Sequence, residues 1–170
     1  MYRLLIHRIV VALTSILLVT PASAITGVWS GQLYSADGQE DSVMYGFSDA
    51  GNPVFPIETR DGTRNIEISR AGQTQEWLVR GGGVARGRVE ALSVSANRVH
   101  AVVSIYTESG GGSLMNQREQ RFDIDFMQAG NGLQVRVATE SASYASGSGV
   151  GYFGGRSTRN VWQGVLQRVR

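Results

Sequence analysis

The sequence predicts an all-β fold, an antiparallel up-and-down β-barrel of about eight to ten strands. Three observations carry that expectation. Apolar residues recur at every second position through much of the chain after residue 25, the signature of strands with one buried face. Turn-forming residues separate these runs. The pattern W-x-G-x-L occurs near both ends, as Trp29-Ser30-Gly31-Gln32-Leu33 and as Trp162-Gln163-Gly164-Val165-Leu166.

The strands follow in order. Val43, Tyr45 and Phe47 alternate with Ser42, Met44 and Ser48, and Ile66 and Ile68 with Asn65, Glu67 and Ser69. Val99, Ala101, Val103 and Ile105 form an apolar face opposite Arg98, His100 and Ser104. Phe122, Ile124 and Phe126 alternate with Arg121, Asp123 and Asp125; Leu133, Val135 and Val137 do so with Gln134 and Arg136. Between them lie Asp49-Ala50-Gly51-Asn52, Arg60-Asp61-Gly62, Ala71-Gly72, Ser109 to Gly112 and Ala129 to Gly132, which supply residues tolerant of positive φ. The two W-x-G-x-L segments place the first and last strands side by side with matching inward faces. Such closure removes the free edges on which other chains pair, and a glycine in each segment fits the tight bends of a small barrel.

Residues 1–24 read as a signal peptide. Arg3 and Arg8 give a positive start, Ile9 to Val19 an apolar stretch, and Pro21-Ala22-Ser23-Ala24 the small-residue pattern cut by signal peptidase. The apolar stretch falls short of the about 20 residues that span a bilayer. Cleavage near Ala24 leaves 25–170 as a single β-barrel domain, expected to be periplasmic or secreted and to have no membrane span.

The basic residues number 16, all arginine, against 14 acidic ones, and Arg3 and Arg8 belong to the signal. The remaining domain is balanced, so there is no surplus of positive charge with which to hold nucleic acid. Charge is uneven along the chain: Arg156, Arg159, Arg168 and Arg170 follow the last carboxylate, Glu140. These are expected as solvated arginines, the alternative being a face for an acidic partner. With no cysteine in the chain, disulfides, thiolate metal sites and thiol catalysis are excluded.

Two segments depart from the strand pattern. Residues 80–88 are glycine-rich and basic, expected as a hairpin connection or bulge; the competing reading is an anion-binding nest of backbone N–H groups. Residues 141–155 are expected as a long loop of small residues whose Tyr144, Tyr152 and Phe153 either line the mouth of a ligand site or pack onto the barrel.

Ile25-Thr26-Gly27-Val28-Trp29, a G-x-W on the first strand, resembles the opening motif of the lipocalins and the wider calycin group, which includes avidin-type barrels. The resemblance implies a barrel of calycin-like shape with Trp29 plugging one end. It also implies a C-terminal arginine stacked over that tryptophan, by position Arg168; Trp162 is the barrel-end counterpart on the last strand. Ser35 matches a ligand-contacting serine of the avidin type. Gly31, however, stands where that group has a ligand-contacting asparagine, so biotin is not the expected ligand.

No catalytic constellation emerges. His100, the one histidine after the expected signal peptide, is on the polar side of a strand. Asp123 and Asp125 share a face, opposite Phe122, and are expected to be solvated rather than to bind Ca²⁺ or act as acid and base. Serine-rich 141–148 lacks a nucleophile elbow, and no phosphate, dinucleotide or zinc-protease motif is present. No cofactor and no metal are expected. The leading reading is a non-enzymatic exported binding barrel for a small apolar or amphipathic ligand. The alternative is a periplasmic protein-interaction module, an assembly factor or inhibitor, acting through its surface with a filled interior; complete filling by Trp29, Phe122, Phe126, Met44 and Leu166 would favour it. An outer-membrane barrel is disfavoured by the terminal Arg168-Val169-Arg170 and by the low aromatic content.

Overall fold

The computed structural model describes residues 24–80, 82–111, 114–147, 150–153 and 157–169, with the side chains at 111–115 and 145–157 outside that description. Residues 1–23, most of the expected signal peptide, therefore lie outside the described residues. The described chain is all strand and turn. Its strands are β1 (Gly27–Ser35), β2 (Glu40–Phe47), β3 (Pro53–Thr59), β4 (Gly62–Glu67), β5 (Thr74–Leu78) and β6 (Val84–Val94). They are followed by β7 (Arg98–Gly111), β8 (Leu114–Ala129), β9 (Gly132–Gly147), β10 (Val150–Phe153) and β11 (Ser157–Arg168). Ten of them form one antiparallel sheet in the order β4-β3-β2-β1-β11-β9-β8-β7-β6-β5, and β10 adds to β9. The sheet curls into a half-barrel with one concave, apolar face.

The first and last strands pair as the repeated motif implies, with Trp29 opposite Arg168 and Ser35 opposite Trp162. Extending that register sets Gly31 against Leu166 and Gly164 against Leu33 on the concave face. A Cβ on Gly31 would lie 3.0 Å from Leu166 Cδ2, and one on Gly164 would lie 3.0 Å from Leu33 Cδ2 and run into the Gln32 carbonyl oxygen. Each motif's glycine makes room for the other's leucine. Both leucines are buried, as is Trp29 at 3% exposure.

The wall is joined where the chain ends meet, at β1 and β11, but the expected closed barrel is not formed, because the sheet is interrupted between the consecutive strands β4 and β5. Both are short, and the link between them turns back on its own neighbours. Ile68 N donates to Pro53 O (2.9 Å), and Gly72 N and Val89 N bond across to Val89 O and Gln73 O (2.8 and 2.9 Å). Across the gap, Arg60 N donates to Leu78 O (2.8 Å), and Gln73 Nε2 to Glu67 O (2.8 Å).

Two expectations need correction. Within 141–155, residues 141–147 are not loop: β9 continues to Gly147, bonded along its length to β8 and, up to Ala142, to β11. The backbone ladder on both sides holds extended a sequence whose small side chains show no alternation. Similarly, only the start of 80–88 is a connection. Gly82 and Gly83 take positive φ in the turn after β5, and Val84 to Arg88 belong to β6. Arg86 is committed to Glu76 across the β5–β6 pair (2.7 Å), which leaves it turned along the strands rather than toward the Gly82–Gly83 turn.

The core lies at one end of the half-barrel. Ile25, Trp29, Phe47, Val99, Phe126 and Leu133 are buried together there, and Phe126 sits edge-on to both Tyr45 and Phe47 with centroids 5.0 Å apart. Met44 points the other way and is 60% exposed.

Candidate functional site

Alternation along each strand aims one side chain in two at the concave face. On β2 these are Asp41, Val43, Tyr45 and Phe47, which run from the open end to the packed floor. Phe47 reaches the core; the residues above it do not fill the space. A cavity of about 350 Å³ remains over the floor, within the range of small-molecule sites. All ten strands of the sheet contribute to it. Leu33 and Trp162 come from the β1–β11 pair; Val103, Ile105 and Phe122 from β7 and β8; Phe55, Ile57 and Ile66 from β3 and β4. Val137 and Thr139 come from β9, Val89 from β6 and Trp77 from β5.

The Trp77 indole has its place because of Gly87, directly beneath it: a Cβ there would lie 3.1 Å from the ring. Polar groups are few. Tyr45 is largely buried, and desolvation, with a smaller contribution from Asp41, pushes its hydroxyl up to about 12. The phenol therefore stays neutral and can donate a hydrogen bond inside the cavity. Asp41, Gln75 and Thr74 belong to the exposed part of the lining. A second hollow, about 540 Å³ and largely polar, follows the gap between β4 and β5 and shares Ile57, Ile66, Gln73, Gln75 and Trp77 with the first.

The convex face of β6 to β9 is charged. Arg98 grips Asp125 through two bonds (2.8 and 2.7 Å), which holds that carboxyl below the usual range. Glu90 is the extra residue where the β6–β7 register shifts between Val89 and Ala91. The bulge turns its carboxylate outward, where it accepts from Ser104 Oγ and from Arg121 Nε (3.0 Å). His100 Nε2 lies 2.9 Å from Asp123 Oδ1, both half-exposed on this face and away from the cavity. Of the C-terminal arginines, Arg159 lies 3.7 Å from Glu140. Among the described residues, no three His, Asp or Glu side chains gather to hold a metal ion.

Trp29 closes the floor, its Nε1 donating to Thr26 O (3.0 Å). Arg168 stands opposite it on the same face, with its guanidinium over Gly27 and a 3.4 Å bond to Thr26 Oγ1. Trp162 lies not at a barrel end but in the cavity wall. Tyr144 falls opposite Gln117 on the convex face and is outside the lining; the side chains of Tyr152 and Phe153 lie outside the described ones. Phe55, Ile57 and Trp77 are lining residues that the sequence reading passes over. Phe55 and Ile57 do alternate with Val54, Pro56 and Glu58, but Pro53 and Pro56 mask the strand signal, since proline cannot donate to a ladder. Comparison of the chain with family models, curated proteins and solved structures yields no match.

Proposed function

We propose that this chain is an exported binding protein that holds a small apolar or amphipathic ligand inside its curled sheet. The supporting observation is the cavity itself: apolar, walled by every strand of the main sheet, and lying above a packed floor rather than replacing it. The charged convex face is suited to water, consistent with a periplasmic or secreted domain released from its signal near Ala24. The burial of Trp29 beside Arg168 supports a calycin-like reading of that end. The surface-acting alternative expects a filled interior; what favours it is the exposure of Val28 and Val165 on the β1–β11 pair and of Val169 just after it.

An apolar fluorescent probe titrated into the mature domain tests the cavity reading. Val103→Phe and, independently, Ile57→Trp should each abolish probe binding while leaving the far-UV spectrum and urea midpoint close to the parent's. Undiminished binding in both folded variants would refute it. A protein co-purifying stoichiometrically with a domain that binds no probe would favour the alternative.

A further inference from the structure

The walls of the half-barrel differ in height. Strands β7, β8 and β9 have 14, 16 and 16 residues, against nine, eight and seven for β1, β2 and β3. With β11 they rise past the cavity as a lip. The register fixes which side chains continue the cavity face there. Above Phe122 come Gln120, opposite Ser141, and Arg118, opposite Thr107 and Ser143. On β11, Thr158 stands opposite Ser141, and their hydroxyls bond at 2.8 Å. The concave face thus changes from apolar at Ile124 and Val137, through Phe122 beside Thr139, to amide and hydroxyl at Gln120 and Ser141. Arg118 is the one charged side chain on the lip's concave face among the described residues, and it is exposed. Of the charged residues that border the cavity itself, Asp41 is on β2, separated from β8 by three strands of the sheet, and Arg88 is on β6, where its pairing with Ser104 puts it on the convex face.

We infer that the ligand is a single-chain amphiphile with an anionic, oxygen-rich head, its tail in the cavity and its head on the lip against Arg118. This rests on the cavity reading and adds the ligand's polarity and direction. Hydroxyl and amide groups can donate to head oxygens, and a guanidinium matches a carboxylate or phosphate bidentately. At the ~30 Å³ of a small liquid-phase group, the cavity of about 350 Å³ takes about a dozen methylene-sized groups.

The test is a matched series of twelve-carbon probes bound to the mature domain below their aggregation concentrations: dodecanoate, 1-dodecanol and dodecyltrimethylammonium. Dodecanoate should bind about tenfold or more tighter than the alcohol, as expected for a hydrogen bond to a charged group, and the cation weakest. Arg118→Ala should remove that preference and leave the alcohol's affinity unchanged. Arg136→Ala, on the convex face of β9, should alter neither. Equal binding of acid and alcohol, or an acid preference that survives Arg118→Ala, overturns the inference and spares the cavity. Failure of all three probes to bind overturns the cavity reading as well.

Discussion

Replacing Gly164 with alanine tests how the first and last strands fit together. Its φ is not positive, so the substitution carries no backbone strain; the cost is purely steric. The new methyl would meet the Gln32 carbonyl, a backbone atom that cannot rotate away, and the end of Leu33 at 3.0 Å. Overpacking of this kind costs about 1–3 kcal/mol, and the rigid partner puts Gly164→Ala near about 3 kcal/mol. For a domain of this size that lowers the melting temperature by roughly 10 °C. Gly46 is the internal control. It also lies in a strand without positive φ, but its nearest neighbour would be Val54 Cβ at an ordinary 3.5 Å. There alanine should stabilise by about 0.4–1 kcal/mol, through the unfolded chain. Urea unfolding followed by tryptophan emission and far-UV dichroism separates the two. Adding Leu33→Ala to Gly164→Ala should restore little, since the carbonyl clash persists. A Gly164→Ala variant as stable as the parent, or a Gly46→Ala variant as damaged as Gly164→Ala, would refute the argument.

Phe126→Ala removes the ring that locks Tyr45 and Phe47 over the floor and should cost about 3–5 kcal/mol in urea unfolding. The Tyr45 hydroxyl is raised from 10.0 to about 12 by burial. Its contribution is fully present below pH 10 and is lost between about pH 10 and 12, so the urea midpoint should fall there, and less steeply in Tyr45→Phe. The Asp125 carboxyl is lowered chiefly by its bonds to Arg98. Its stabilisation is present above about pH 4 and is lost as pH falls through and below that value. Asp125→Asn should flatten that part of the stability profile.

The sequence-level reading works best where burial is densest. Phe122 to Phe126 and Leu133 to Val137 announce their strands because each inward side chain meets another inward side chain, and selection for contact leaves a strict alternation. The pairing of the ends is legible in a repeated glycine whose purpose is to admit a neighbour's leucine. The cavity is not legible in the same way. Val103 and Ile105 continue the pattern of Val99 and Ala101, yet line a void while the latter pack solidly. Period-two reports which way a residue faces, not what it meets. At 141–147 the signal vanishes because, Tyr144 apart, the residues are serine, alanine and glycine, and the ladders to its neighbours keep the strand extended. Tyr144 stands out as an aromatic in a glycine-serine stretch, but strand parity sends it outward.

The gap beside β4 has a mechanical meaning for the cavity it borders. Every other join in the wall is a ladder, running to 14 bridged pairs at β7–β8 and 16 at β8–β9. Between β4 and β5 the ties are a backbone bond at Arg60 and a glutamine side chain. The next weakest join, β2–β3, still has two bridged pairs; the line held by no ladder at all yields first. The polar hollow there shares Ile57, Ile66 and Trp77 with the cavity, so on the proposed binding function this line is a lateral way in that does not pass the lip. The amides of β4 and β5 should exchange with deuterium well before those of β8 and β9.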